Sequence, residues 1–249
     1  MIALKNDGEI GAIERAGRIL GQLFREIEPL VVPGVTTAKL DTFAEQFIRA
    51  HEGAVPAFKG LYGFPATLCT SINEEVVHGI PSQKRVLHEG DIVSIDAGVK
   101  LDDWYADAAR TFAVGRVDPE TARLLAITRN ALGAGIEQAR PGRRLGDVGH
   151  AIQRIAEGAG FGVVRDLVGH GIGREPHEEP QVPNYGQPGR GLRLQAGLVL
   201  AIEPMVNAGQ VGVRTLGDRW TVVSADGSRS AHFEQTVAIM ADGPRILTD

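Results

Sequence analysis

Four stretches of the chain carry apolar residues at intervals of three and four, which is the spacing of an amphipathic helix. Threonine or aspartate before such stretches, and proline or glycine after them, mark the expected helix ends. The pattern predicts helices over residues 9–27, from 36 or 37 toward 53, from 118 to 140, and over 147–157. Between and after the helix pairs, short β-branched and aromatic runs bounded by glycine and proline predict strands and turns.

One predicted strand carries an acid where an apolar residue is expected. Residues 92–99 are rich in β-branched and apolar side chains, and Asp96 interrupts them. A buried carboxylate costs several kcal/mol, on the order of the effective desolvation of an ion, unless a cation, a partner or a water-filled cleft compensates it. After a polar turn at 100–103, a second strand is expected to open with Asp107 and to complete a hairpin. We interpret these two aspartates as half of a metal site.

The composition is that of an ordinary globular protein. The chain has 249 residues, of which 43% are hydrophobic and 23% charged, and its net charge is −5. This charge provides no general attraction to nucleic acid or to an anionic membrane. The single cysteine, Cys69, excludes an internal disulfide and indicates a reducing compartment. No signal peptide or membrane-spanning run is predicted, so we expect a cytoplasmic protein.

The second half of the chain repeats the element order of the first. Each half has two helices, then a region containing His-Gly-Ile, then a strand that glycine introduces and that carries an acid six residues later. The repeat matches His78 with His170, Asp96 with Glu203 and, less closely, Asp107 with Glu234. The pattern predicts one α+β domain over 1–249, with pseudo-symmetric halves at about 9–115 and 118–240. A curved, largely antiparallel sheet is expected to face a cleft between the halves.

The two halves therefore send acids to a common interface. The first contributes Asp96 and Asp107, and the second contributes Glu203, Glu234 and His170. Four carboxylates and an imidazole cannot crowd together without divalent cations, because repulsion would raise the carboxyl pKa values and force protonation. A carboxylate-rich set with one histidine and no thiolate favours ions such as Mn, Fe(II) or Co over a closed structural zinc site. Four acids supply enough oxygens for two ions.

Each of these residues taken alone has a simpler structural interpretation. An isolated aspartate in a strand usually lies at an edge or a turn, and a histidine in His-Gly-Ile is more often a hydrogen-bonded loop residue than a ligand. Cys69 alone is expected to be a small buried hydrophobe. The acids are singled out because they recur at matched places inside otherwise apolar strands.

The motifs around these residues identify a family. The segments GHGIG, HEEP and AIEPM, in order with Asp96, Asp107 and Glu234, closely resemble those of methionine aminopeptidases over roughly residues 10–240. The resemblance implies the pita-bread fold, in which two pseudo-symmetric α+β halves surround a central metal cleft. It favours the short bacterial type I form. The implied activity is removal of the N-terminal methionine from nascent proteins and peptides, by attack of a metal-activated hydroxide on the first peptide bond.

The resemblance also implies roles for the individual residues. Asp107 and Glu234 would bridge two divalent ions, Asp96 would complete one ion, and His170 with Glu203 would complete the other. The ions would be Co, Mn, Fe(II) or Zn, a choice that the sequence does not determine.

Two histidines are assigned to the substrate by the same resemblance. Glu203 would shuttle a proton, His177 would lie against the scissile carbonyl, and His78 would contact the scissile amide nitrogen. The family also includes members that hold a Na or K ion through backbone carbonyls, at positions that correspond to Asn73, Glu75 and Ser230.

Family positions that line the methionine side-chain pocket are also recognisable. They are occupied here by Phe58, Leu61, Phe64, Cys69 and Trp220. Ordinary core packing is an equally good interpretation of Phe64 or Cys69 alone. Bacterial relatives often have cysteine and tyrosine at positions 58 and 61, and an aromatic residue at 176, where this chain has proline. These departures concern the volume of the pocket and leave the metal chemistry unchanged.

Two other functions are compatible with the sequence. A proline-specific aminopeptidase or creatinase-like hydrolase would share the fold, but such chains usually carry an additional N-terminal domain. A ribosome- or histone-associated relative would use the scaffold for binding, but such chains tend to lose metal ligands, and all five are present here. The implied partners are peptides and nascent chains beginning with methionine, with a transient ribosome contact. We expect a monomer that binds neither nucleic acid nor membrane.

Overall fold

The computed structural model describes residues 2–249. Within these residues the chain forms four α-helices, and all four correspond to predicted ones. They are α1 (Asp7–Ile27), α2 (Thr37–Arg49), α3 (Pro119–Gln138) and α4 (Leu145–Gly158). None of the helices in this part of the chain combines the length and apolar character needed to cross a membrane.

Local capping explains where the helices begin. The Asn6 side chain accepts a hydrogen bond from the Glu9 backbone N–H, and the Glu9 carboxylate accepts one from the Asn6 N–H. This capping box starts α1 slightly earlier than its apolar period predicts. Asp118 caps α3 by accepting from the Thr121 N–H at 2.9 Å, with Pro119 in the first turn.

Fifteen strands accompany the helices in residues 2–249. They are β1 (Ala54–Pro56), β2 (Leu68–Ile72), β3 (Glu75–Val77), β4 (Ile92–Leu101), β5 (Trp104–Ala113), β6 (Gly162–Val163), β7 (Gly169–Gly171), β8 (Glu178–Val182), β9 (Val199–Ile202), β10 (Met205–Asn207), β11 (Val213–Thr215), β12 (Val222–Ser224), β13 (Ser230–His232), β14 (Glu234–Met240) and β15 (Gly243–Ile246). Short 3-10 helices span Glu28–Leu30 and Leu61–Gly63.

The largest sheet joins strands from both halves of the chain. Its nine strands run β1-β4-β5-β14-β9-β7-β8, with β2 also paired to β4 and β15 to β14. Every strand pair in the described residues is antiparallel, as the sequence led us to expect. The central contact is between β5 and β14, where Ala109 pairs with Glu234. Two three-stranded sheets, β13-β10-β6 and β11-β12-β3, complete the fold.

The helices cover one face of the large sheet and leave the other face for polar residues. One core packs α1 and α2 on β4 and β5, and a second packs α3 and α4 on β9 and β14. In β4, Val93 and Ile95 belong to the helix-facing core. Because side chains alternate along a strand, Ser94 and Asp96 point to the opposite face.

Two strand boundaries differ from the sequence prediction. The prediction that Asp107 opens its strand is wrong, because β5 begins at Trp104 and Asp107 lies inside it. Asp102 and Asp103 both have positive φ, 49° and 65°, and together they form a two-residue turn. Pairing of β4 with β5 therefore extends to Leu101 and Trp104, the residues on either side of the turn. The strand expected to end in histidine ends instead at Val77. His78 itself has φ 61°, which turns the chain out of the extended conformation.

Candidate metal centre

The strand register places three acids on one face of the large sheet. Asp96 pairs with Ala109 across β4 and β5, and Ala109 pairs in turn with Glu234 of β14. Asp107 lies two positions from Ala109 on β5, so its side chain points the same way. Asp96, Asp107 and Glu234 therefore converge on the face that the helices leave uncovered.

The second half adds an imidazole and a fourth acid to the same face. His170 of β7 pairs with Ala201 of β9, and Ala201 pairs with Thr236 of β14. Glu203 follows β9 two positions after Ala201, and Glu234 precedes Thr236 by two. Their side chains therefore share the face of His170. The sheet brings together all five residues predicted to bind metal.

The distances within this cluster are short. One ligand atom each from Asp107, His170 and Glu234 lies within 4.8 Å of the others. His170 Nε2 lies 3.5 Å from Glu203 Oε1. Asp107 and Glu234 are only 4% and 2% exposed, so bulk water screens their charges little.

Burial and mutual repulsion favour the neutral, protonated form of these carboxyl groups. Burial, with added repulsion from neighbouring carboxylates, raises the pKa values of Asp96, Glu203 and Glu234 well above the usual range. Burial raises the pKa of Asp107 to about 7. A nearby cation would reverse these shifts, because it stabilises each ionised form.

The residues present fit a divalent metal centre. Among residues 2–249, Asp96 Oδ1, Asp107 Oδ1 and Glu234 Oε1 are buried and have no hydrogen-bond partner. Buried polar atoms are nearly always satisfied, so three such oxygens on one face point to a cation. The His170 ring also fits, because its Nδ1 contacts the Gly171 carbonyl at 2.9 Å. Donation from Nδ1 leaves the Nε2 lone pair directed at the acids.

Two further histidines lie beside the acids. The His177 ring packs edge-on against His170, with 4.5 Å between centroids, and stacks against Tyr62 at 6.1 Å. Burial lowers the pKa values of His78 and His177, and it lowers that of His170 to about 4. All three imidazoles are therefore neutral near pH 7, where they can accept or donate a hydrogen bond.

The acids and the apolar pocket form one continuous cavity of about 320 Å³. Every residue predicted for catalysis, metal binding or substrate binding lines this cavity. These residues are Phe58, Leu61, Phe64, Cys69, His78, Asp96, Asp107, His170, His177, Glu203, Trp220 and Glu234. The cavity is also lined by residues that the sequence analysis did not select, namely Tyr62, Val77, Leu167, Val168, Met205 and His232.

The apolar wall of the cavity lies next to Asp96. Cys69 of β2 lies directly opposite Asp96 in β4, and Phe58, Phe64 and Cys69 form one buried cluster. Trp220 packs edge-on against Phe64 with 5.1 Å between ring centroids. A side chain bound in this pocket would lie next to the acid cluster.

His232 is the main residue that sequence reasoning missed. It is 2% exposed, and its Nε2 lies 3.7 Å from Glu203 Oε2. Neither ring nitrogen has a hydrogen-bond partner in the described part of the chain. Burial, with a smaller effect of His78, lowers the pKa of His232 to about 3. The available signal was its position two residues before Glu234, at the end of a short strand.

Comparison with known proteins assigns the chain to a family. The model of metallopeptidase family M24 matches residues 11–241. A methionine aminopeptidase of Clostridium acetobutylicum is 56% identical over 248 residues, which cover 100% of this chain and 99% of that protein. The crystal structure of a methionine aminopeptidase from Thermotoga maritima superposes with a TM-score of 0.98 at 46% identity, over 100% of both chains.

More distant structures share the fold alone. A prolidase from Pyrococcus furiosus has a TM-score of 0.77 at 24% identity, and the match covers 99% of this chain but 65% of the prolidase. The full-length similarity is to the methionine aminopeptidases, and the pita-bread fold predicted from the sequence is confirmed. The chain therefore belongs to metallopeptidase family M24 and, within it, to the methionine aminopeptidases.

Proposed function

We propose that the acid cluster binds two divalent ions, with which this metallopeptidase hydrolyses the first peptide bond of chains that begin with methionine. The observation that carries this proposal is the set of unpartnered buried oxygens on Asp96, Asp107 and Glu234. They lie in the same cavity as an apolar pocket. A metal-binding cluster beside a pocket for one apolar side chain is what a methionine exopeptidase requires.

The strand order supports a specific division of the ligands. Asp107 and Glu234 stand on the two central strands, β5 and β14, and would be ligands common to both ions. Asp96 flanks them on β4 and would help to hold one ion. His170 and Glu203 flank them on the β7 and β9 side and would help to hold the other.

When bound, the ions would polarise the scissile carbonyl and lower the pKa of a water molecule, so that it attacks near neutral pH. Glu203, whose Oε2 lies 3.7 Å from His232 Nε2, would accept the proton from that water and pass it to the leaving amine. His177 donates a hydrogen bond to the carbonyl oxygen as negative charge develops there. His78 contacts the amide nitrogen of the same bond.

The pocket accounts for the choice of the first residue. Phe58, Leu61, Phe64, Cys69 and Trp220 line its apolar wall. Burying an unbranched thioether there gains about 1.5–3 kcal/mol relative to leaving it exposed. The free α-amino group of the substrate would bind near the metal ions. An internal peptide bond has no free amino group at that place, so only the first residue would be removed.

The remaining proposals concern the surroundings of the enzyme. The protein acts as a cytoplasmic monomer on nascent chains, with transient ribosome contact, and folds as one domain with halves at about 9–115 and 118–240. A Na or K ion binds near the Asn73, Glu75 and Ser230 carbonyls. In support, the Ser230 N–H donates to the Asn73 carbonyl at 2.8 Å, so these two segments lie together.

One experiment tests the activity and its metal dependence. The protein is stripped with a chelator, restored with Mn, Fe(II) or Co, and assayed with the peptides Met-Ala-Ser and Ala-Pro-Ala. We expect methionine release from the first peptide only after metal is restored, and calorimetric titration with two sites. Absence of metal-dependent methionine release would refute the proposal. Preference for Ala-Pro-Ala would indicate a proline-specific peptidase instead.

A further inference from the structure

A buried ion pair joins the segment before α1 to the residue that follows His177. Lys5 Nζ lies 2.5 Å from Glu178 Oε2, and the two side chains are 4% and 15% exposed. Two charges taken this far out of water are held in place, since separating them would leave each one buried and uncompensated. Most other Lys and Arg ion pairs of the described residues have at least one well exposed partner.

The segment that carries Lys5 is fixed by its backbone as well. The Lys5 N–H donates to the Gly197 carbonyl at 2.7 Å. The lysine side chain then passes beside Gly173, where a Cβ atom would meet Lys5 Cε at 2.5 Å. Because position 173 is glycine, there is room for this path, and the lysine side chain packs against the loop that leads to His177.

Glu178 organises that loop from its other oxygen. Its Oε1 accepts hydrogen bonds from the Arg174 N–H at 2.7 Å and the Glu175 N–H at 3.3 Å. Glu178 also pairs with Gly171 across β7 and β8. Glu178 therefore connects the residue after His170 through its backbone, and the loop and Lys5 through its side chain.

Within residues 2–249 the His177 imidazole makes no hydrogen bond or ion pair comparable to that of Glu178. Its ring packs against the rings of His170 and Tyr62. His177 lines the cavity, and the neighbouring Glu178 side chain meets Lys5. The position of the imidazole therefore depends on the backbone that Glu178 holds.

We propose that Lys5 is a positioning residue for catalysis, which acts through Glu178 to hold the His177 imidazole against the scissile carbonyl. This inference rests on the role proposed above for His177. It assigns to a residue outside the cavity an effect on the reaction itself. Misplacing a catalytic group by about 1 Å can lower a rate by up to about 100-fold, so the effect is measurable.

The test compares steady-state kinetics of Lys5→Met with those of the unaltered metal-loaded enzyme. We expect kcat for Met-Ala-Ser to fall by about 10- to 100-fold, with KM changed less than about threefold, because the apolar pocket is untouched. Glu178→Gln keeps an acceptor for the loop N–H groups and loses the charge, and it should reproduce the drop in kcat. Lys5→Arg should restore part of it. As a matched control, Lys100→Met breaks the exposed pair with Asp103 and should leave kcat unchanged.

A double-mutant cycle with His177→Ala separates positioning from a general loss of stability. If Lys5 acts through His177, Lys5→Met lowers kcat no further in the His177→Ala background. Independent, multiplying losses would overturn the inference, as would a lower melting temperature of Lys5→Met with unchanged kcat. If Lys5→Met does not fold, Glu178→Gln takes its place in the cycle. A His177→Ala variant with full activity would instead refute the role proposed for His177.

Discussion

Gly98 lies directly opposite Asp107 in the β4–β5 ladder, and a Cβ atom at Gly98 would come within 2.8 Å of the Phe58 ring. The same backbone position therefore lies opposite a proposed metal ligand and touches the apolar pocket. It couples the chemistry of the site to the shape of the pocket.

Gly98→Ala is predicted to impair methionine removal without unfolding the protein. The new methyl group must displace Phe58 and also meets Ala57 at 2.9 Å, so the pocket narrows. Misfit of this size in a packed region typically costs about 1–3 kcal/mol, and we expect kcat/KM for Met-Ala-Ser to fall by about 10- to 100-fold. Peptide cleavage assays measure this. The control is Gly133→Ala on α3, where an added Cβ has no atom within 4 Å. Equal activity of the two variants would contradict the assigned pocket wall.

Glu234→Gln is predicted to abolish activity and leave the metal-free protein folded. The substitution removes one of four crowded acids. Burial and repulsion from the other acids raise the pKa of Glu234, so its carboxyl group contributes no favourable charge interaction to the metal-free fold. Loss of a proposed ligand to both ions should lower kcat/KM by more than about 100-fold. Substitution of residues that only hydrogen-bond to metal ligands already costs about 10–100-fold.

Urea unfolding with and without Mn(II) checks the stability half of this prediction. Metal at about 100 times the Kd of a site should stabilise the unaltered protein by about 2.7 kcal/mol for each site that it fills, and the variant by less. Asp103→Asn, at the exposed hairpin turn, is the control and should behave as the unaltered protein. Near-normal turnover of Glu234→Gln would show that the ligand assignment is wrong.

Metal affinity is predicted to rise with pH through neutrality. Burial raises the pKa of Asp107 to about 7, and burial with repulsion between carboxylates raises the pKa values of Asp96, Glu203 and Glu234 well above the usual carboxyl range. These groups bind protons in the metal-free protein and must release them to coordinate, so lowering the pH weakens binding. His170 contributes nothing to this dependence, because burial lowers its pKa to about 4 and it is already neutral.

Calorimetry with Mn(II) in two buffers of different ionisation enthalpy measures the protons released per ion. We expect release between about pH 6 and 8 that diminishes as the pH rises further. Binding without proton release near neutral pH would mean that the acids are already ionised in the metal-free protein.

Cys69 is predicted to resist thiol reagents in the native state. Burial, with added repulsion from Asp96 and Asp107, raises the pKa of its thiol well above the usual value. The reactive species is the thiolate, so reaction with a disulfide reagent at mildly alkaline pH should be at least about tenfold slower than in guanidinium. The rate is followed by absorbance. Equal rates in the native and unfolded states would show that the pocket admits both reagent and water freely.

The features that the sequence predicted well depend on neighbouring residues. Helix positions follow from apolar spacing and from caps such as Asp118, whose carboxylate accepts a hydrogen bond from the Thr121 N–H three residues later. Asp96 stood out because an acid in a run of buried β-branched residues is costly wherever that strand lies. The hairpin was predicted, but the start of its second strand was misplaced. Aspartate tolerates positive φ without requiring it, so the sequence does not show that Asp102 and Asp103 alone form the turn.

The sequence by itself thus determined the helices, the main strands, the family and the candidate ligands. Tertiary structure decided which of these residues meet. The pairing of Ala109 with Glu234 and the buried contact of Lys5 with Glu178 join distant segments, and their geometry depends on how whole sheets and helices pack. His232 belongs to the same class, since its two unpartnered nitrogens become notable only when the fold buries them beside Glu203. Local spacing carries no information about such contacts, because the free energy that selects them comes from burial and pairing across the whole fold.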